Sequence, residues 1–379
     1  MKNWDGKIIN FAGLNKVRMS RTSHNSNIPI PTRLAALCFI ALTLFSSCKP
    51  DPDFEAKPAK NTAADISFNM PQGWPAPYYS FANNKLTNEG FALGRKLFYD
   101  PRLSKDNTIS CGSCHQQAGA FIQIGHQFSH GVGDINGTRN SPPLFNLAWS
   151  TSFFWDGGVN NLESQPINPI QNPIEMDESI GEVVAELQGD DTYISMFKAA
   201  FGDGTINSQR IFKALAQFMG VMVSADSRFD KYKRNETGAT LTAQELNGYE
   251  VYKANCSRCH TEPLFTDYNF RNNGLAPDTY INDSGRAHIT RAMQDMYQFK
   301  TPSLRNLGYT APYMHDGRFQ ALDEVLDHYA KGIHKSPTLD SSLVNGIQLS
   351  SQQRADLLAF LNTLNDESFV KNSIYAEVK

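Results

Sequence analysis

Cys111-Gly-Ser-Cys114-His115 and Cys256-Ser-Arg-Cys259-His260 are two copies of one spacing, C-x-x-C-H. Two thiols three positions apart can add to the two vinyl groups on one edge of a porphyrin. The His that follows is then held under the ring, where it can give a nitrogen to the iron. This is the attachment chemistry of c-type haem. From the chain's own Cys and His frequencies one such match is expected by chance roughly 0.002 times, so two accidental matches are on the order of one in a million. A four-Cys zinc site would use neither His, and a thioredoxin-type C-x-x-C would sit in a βαβ pattern that this sequence does not suggest. The spacing therefore predicts two haem c groups.

An iron held by one His has a second axial position, and its occupant decides between electron transfer and chemistry. Residue type alone leaves His126, His130, His288, His315, His328, His334, Met314 and Tyr329 as candidates.

Positioning two haems takes substantial cores, and 379 residues are enough for two domains. The chain is 40% hydrophobic and 19% charged, with net charge −3, which gives no basic surplus for nucleic acid. Of six cysteines, four belong to the haem motifs. Cys38 lies in an apolar run, Leu34 to Phe45, and Cys48 follows it. That run is too short to span a bilayer and suits a secretory signal. Small residues before Cys48 resemble a bacterial lipobox, so residues 1–47 are expected to be a signal peptide and Cys48 a lipid anchor. Lys16, Arg18, Arg21 and Arg33 form a long positive region, and Met19 is an alternative start. Export fits the haem reading, since haem c is attached outside the cytoplasm. The expected location is periplasmic, at the outer membrane, with the lipid as the only membrane contact. Residues 48–66, with Pro50, Pro52 and Pro58, read as a flexible tether.

The rest reads as a duplication. Leu86-Thr87 opens a helix through Gly94-Arg-Lys-Leu-Phe98 that stops at Asp100-Pro101. Leu241-Thr242 opens another through Gly248-Tyr-Glu-Val-Tyr252 into Cys256, with Thr242 and Glu245 spaced as a capping box. Amphipathic helices are expected over Ser208 to about Ser224 and Ser350 to about Asn365, and one or two more over 179–201. Residues 119–175 and 261–315 are loop-rich, with little strand. The expected fold is all-α: two cytochrome c-like domains, 67–235 and 236–379, with long loops wrapping the haems.

In this order the motifs resemble the bacterial di-haem cytochrome c peroxidases and their relative MauG. The resemblance spans about residues 80–365. It rests on both C-x-x-C-H motifs, Thr138-Arg-Asn-Ser-Pro142, Phe154-Trp-Asp-Gly157, Gln165 with Glu175, Asp283-Ser-Gly-Arg286, Thr301-Pro-Ser-Leu-Arg-Asn306 and Thr310-Ala-Pro-Tyr-Met-His-Asp-Gly317. It implies that the His115 haem is peroxidatic, with Glu175 as distal acid/base and Gln165 beside it. Trp155 matches the aromatic between the haems. Asn140 and the carbonyls of Thr310 and Pro312 match a calcium site, and His315 matches a residue near the second haem that binds a propionate. His130-Gly131 sits about where the peroxidases carry a releasable ligand of the first iron; His126 and an open site are the alternatives. Fourteen residues after His315, where the peroxidases have Met, stands Tyr329, as in MauG. His328 and Met314 are its rivals. A phenolate ligand would lower the second haem's potential relative to a thioether.

The implied function is reduction of H₂O₂ with electrons from a small cytochrome c or cupredoxin. The alternatives are a MauG-like oxidation of a partner protein's residues and a non-catalytic electron-transfer cytochrome. The family is often dimeric, so the resemblance leaves room for a homodimer, while the sequence itself does not give the oligomeric state.

Overall fold

A computed structural model describes residues 65–378, so the signal segment, Cys38, Cys48 and nearly all of the 48–66 tether lie outside the described residues. Thr87 caps α1 (Asn88–Tyr99) by accepting from the Gly90 N–H, and the helix stops before Pro101. Helices α2 (Ile180–Gln188) and α3 (Asp191–Phe201) break at Gly189-Asp190. The closing helix of the first half is α4 (Ser208–Gly220), capped by Asn207. In the second half α5 (Ala243–Asn255) carries both arms of the Thr242/Glu245 capping box and runs into Cys256. Its closing helix is α6 (Ser351–Asn362), capped by Ser350. The only paired strands among the described residues are two residues each, β1 (Phe270–Arg271) and β2 (Phe299–Lys300), antiparallel. The all-α reading holds.

The repeated glycine marks a helix crossing. A Cβ on Gly94 would fall 1.9 Å from the Ala214 carbonyl oxygen of α4. A Cβ on Gly248 would fall 1.9 Å from the Asp356 carbonyl oxygen of α6. Each opening helix therefore touches the backbone of its closing helix, and only glycine permits the approach. Phe218 follows Ala214 by one turn and Phe360 follows Asp356, so the two crossings are equivalent. Gly94→Ala or Gly248→Ala is expected to cost about 1–3 kcal/mol, the range for overpacking a tight core. Denaturant unfolding of the haem-loaded protein checks this. Gly181→Ala on α2 is the control, because its Cβ would meet only Ser179 Oγ, at 3.8 Å.

Both closing helices end sooner than their apolar pattern suggests, and for the same reason. Asn146 N–H donates to the Met222 carbonyl, and its side chain exchanges two hydrogen bonds with the Ser224 backbone. Asn306 N–H donates to the Leu364 carbonyl, and its Oδ1 accepts the Asp366 N–H. Both Asn residues sit at positive φ, 57° and 62°, which Asn tolerates. They belong to a second repeat, Ser141-Pro-Pro-Leu-Phe-Asn-Leu147 and Thr301-Pro-Ser-Leu-Arg-Asn-Leu307. Ser224 and Asp366 meet each other, Oγ to Oδ2 at 3.1 Å, so the two helix ends touch where the halves join.

The halves also exchange turns. Phe153–Val159 and Tyr313–Phe319 form the same turn, each closed by an N–H···O bond of 2.7 Å. The Trp155 carbonyl of the first turn accepts the Lys300 N–H of the second half, at 2.7 Å. The His315 carbonyl of the second turn accepts the Asn140 N–H of the first half, at 2.8 Å. Trp155 and His315 are thus equivalent residues on either side of the junction.

Candidate active site

Cys111–Cys114 form a single helical turn with Ser110 at its start. All four motif cysteines are free and partly accessible, as thioether formation requires. His115 Nδ1 lies 2.8 Å from the Phe121 carbonyl oxygen. A carbonyl only accepts, so Nδ1 carries the proton and Nε2 keeps its lone pair for iron. His260 is held alike, with Nδ1 3.2 Å from the Phe265 and 3.0 Å from the Pro302 carbonyl oxygens. Burial pushes the His115 imidazole down to about 4 and lowers that of His260 too, which keeps both neutral. Among the described residues no three His, Cys, Asp or Glu side chains converge on one point, so the cysteines do not form a shared zinc site. The residues present fit haem c at both motifs.

Glu175 stands on the first side. Its segment is pinned by Glu175 N–H to the Asn172 carbonyl (2.9 Å) and Met176 N–H to the Pro169 carbonyl (3.1 Å). Asn172 Nδ2 donates to Glu175 Oε1 at 2.7 Å. Burial raises the carboxyl above the usual range, and the Asn172 bond opposes this. Asn172 escaped sequence reading, because a proline-bounded turn does not disclose which amide meets the acid. Gln165 stands before a short helix (Ile167–Gln171), with its N–H on the Asn161 carbonyl. Its side chain makes no hydrogen bond among the described residues.

The His130 loop lies directly on Glu175. Val132 N–H donates to the Glu175 carbonyl at 2.7 Å, and a Cβ on Gly131 would fall 2.3 Å from the Ile174 carbonyl oxygen. His130 Nδ1 is 2.7 Å from Asp134 Oδ1, and its ring packs edge-on against His126 at 4.9 Å. The His130 carbonyl lies 3.7 Å from Cys114 Sγ. The loop therefore runs from Cys114 to the acid.

Where the halves join, Trp155 Nε1 donates to the Asn140 carbonyl at 2.8 Å. His315 is stacked on Phe299, centroids 3.6 Å apart. Arg139 bridges Asp156 (2.6 Å) and Asp283 (2.6 Å), tying both halves behind Trp155. Asn140 Nδ2 donates to the His126 and Gln127 carbonyls. Its Oδ1 and the carbonyl oxygens of Thr310 and Pro312 accept no hydrogen bond among the described residues.

On the second side the chain passes from a short helix (Leu322–Asp327) into a π-helical turn, His328–Gly332. Such turns insert one residue and re-aim side chains, frequently at functional sites. Here His328 is buried, with Nε2 3.1 Å from the Asn273 carbonyl oxygen. Tyr329 comes near Cys256 and Cys259, and burial pushes its hydroxyl up to about 12 against a counteracting Asn273 amide.

The family model described as di-haem cytochrome c peroxidase matches residues 88–238, and a cytochrome c model matches 246–365. The methylamine utilization protein MauG of Methylorubrum extorquens is 39% identical over 80% of this chain and 85% of its own length. The chain belongs to the di-haem cytochrome c peroxidase and MauG family. The cytochrome c551 peroxidase of Nitrosomonas europaea is 32% identical over 73% of this chain and 79% of its own length. A crystal structure of a MauG-like protein associated with microbial copper homeostasis superposes with a TM-score of 0.73 at 34% identity, covering 82% of this chain and 99% of that one. The protein is therefore a haem c oxidoreductase of two cytochrome c-like domains, in a peroxidase family whose chemistry uses H₂O₂ and a cytochrome donor.

Proposed function

We propose that the protein reduces H₂O₂ to two waters at the His115 haem, taking two electrons from a small periplasmic cytochrome c or cupredoxin and two protons from solvent. The observation that carries this reading is Glu175: a buried carboxyl of raised pKa, held by Asn172 and placed near the haem-bearing Cys114. Haem c, when bound, would supply a redox-active iron. The proton work belongs to the chain. Glu175 takes a proton from the near peroxide oxygen and returns it to the far one, and Gln165 orients the peroxide. Trp155 shortens the electron path from the His260 side, and His315 contacts a haem propionate.

In this reading His130 would be a releasable resting ligand, its Nδ1 held by Asp134 and its Nε2 free for iron. Asn140, Thr310 and Pro312 would hold Ca²⁺ through three oxygens that have no hydrogen-bond partner among the described residues, as a hard cation prefers. The protein acts from the periplasmic face of the outer membrane, anchored through Cys48, as a homodimer.

Tyr329 supports a second reading. Its position beside Cys256 and Cys259 suits a phenolate ligand, which disfavours electron entry at high potential. The enzyme would then oxidise residues of a partner protein, the MauG-like alternative that the resemblance implies. Steady-state H₂O₂ turnover with a reduced small cytochrome c separates the two: rapid donor oxidation supports the peroxidase, and its absence overturns it. Electron paramagnetic resonance of Tyr329→Phe tests the ligand. The second reading expects loss of a low-spin signal, with a high-spin signal already present in the unaltered protein. An unchanged spectrum removes Tyr329 from the iron.

A further inference from the structure

His328, Tyr329 and Met314 come from two separate segments, yet all three meet Asn273. The Asn273 carbonyl receives His328 Nε2 at 3.1 Å. Asn273 Oδ1 accepts the Leu275 N–H at 3.2 Å, which fixes the orientation of the amide. Its Nδ2 then donates to Met314 Sδ at 3.5 Å, and the same amide lies at the Tyr329 hydroxyl. Each carries a lone pair that iron can take, and these are Tyr329 and its two rivals for the second haem.

We propose that Asn273 is the positioning residue that selects the axial ligand of the second haem, restraining His328 and Met314 and leaving the Tyr329 oxygen to face the Cys256–Cys259 side. The physical basis differs for each. With its Nε2 donating to the Asn273 carbonyl, His328 has only Nδ1 left for metal, and that nitrogen is packed on Gly332, 3.3 Å from where a Cβ there would stand. A thioether sulfur is a weak acceptor, so one N–H is enough to orient Met314 but not to lock it. Met314 is thus the residue that a lost amide would release. Its backbone is already fixed in the turn by the bond from Gly317 N–H to its carbonyl, at 3.2 Å. The choice matters, because an anionic oxygen holds the second haem at low potential and a thioether raises it. One amide would then set whether this centre accepts electrons from a donor.

The selection rests on Tyr329 being the ligand. The test uses the haem-loaded protein with Asn273→Ala and the isosteric Asn273→Asp, each alone and with Met314→Leu, beside Tyr329→Phe. The readouts are the thioether-to-ferric-iron charge-transfer band and the midpoint potential of the second haem. Both Asn273 variants are expected to gain the band and an upward shift in potential, and Met314→Leu is expected to abolish both. Band and potential unchanged in the Asn273 variants, while Tyr329→Phe changes the second-haem spectrum, overturns the selection alone. A Tyr329→Phe protein with an unaltered second-haem spectrum overturns the ligand assignment and the selection with it.

Discussion

Glu175→Gln lowers kcat for H₂O₂ by about 10²–10⁴-fold, the usual contribution of a positioned general acid/base, while both haem spectra stay intact. The amide keeps the shape and a partner for Asn172 but cannot carry the proton between oxygens. Stopped-flow reduction of peroxide with pre-reduced protein measures the loss directly. Stability should move the other way. Burial raises this carboxyl, so the folded state holds its proton to higher pH than the unfolded chain does. Stability is then lost as pH rises from the ordinary carboxylate range through the raised value. Glu175→Gln is accordingly expected to be more stable than the unaltered protein at neutral pH, which separates lost chemistry from lost fold. Asn172→Ala gives the companion result. Asn172 favours the ionised form, so its removal raises the carboxyl further, and the acid limb of kcat/KM should shift to higher pH.

Arg305→Met costs about 3–5 kcal/mol of stability, the penalty for stranding one member of a buried pair. Arg305 is fully buried; Nη1 and Nη2 reach the two Asp230 oxygens at 2.8 and 2.7 Å. Nε and Nη2 also donate to the Pro263 carbonyl, at 3.0 and 2.7 Å. The guanidinium lies over Trp74 and Phe265. Removal leaves the Asp230 charge with only the Ser227 bonds. The pH dependence has a definite sign. Burial alone would raise Asp230, but Arg305 outweighs it and holds the carboxyl below the usual range. That contribution is present above the ordinary carboxylate pKa and fades as pH falls through the depressed value. The deficit of Arg305→Met should therefore shrink on acidification, as measured by urea midpoints at neutral and acid pH. Asp230→Asn is expected to be severe as well, since it strands the cation.

The haem motifs, the capped opening helices and the all-α class were legible because each depends on residues a few positions apart. C-x-x-C-H must fit one porphyrin edge, and Thr242-x-x-Glu245 must close one helical turn. The closing helices were read too long, because Asn146 and Asn306 end them from more than fifty residues away in the chain. The repeat that carries those Asn residues stands in the sequence, but its use as a helix stop does not. Glu175, Trp155 and Tyr329 were visible as candidates through resemblance. Their partners Asn172, Lys300 and Asn273 were not, since an Asn in a loop or a Lys in a two-residue strand has no period and no fixed spacing to betray it.

What the chain determined by itself is where iron can be attached and which helices must exist, since thiol spacing and helix caps are local chemistry. The tertiary structure decided the rest. It buried the Tyr329 hydroxyl, laid the His130 loop on Glu175, and made each half hold the other's turn through Lys300 and Asn140. These outcomes depend on contacts between segments far apart in sequence. Close packing and the need to satisfy every buried N–H and carbonyl fix them only once the whole chain has folded.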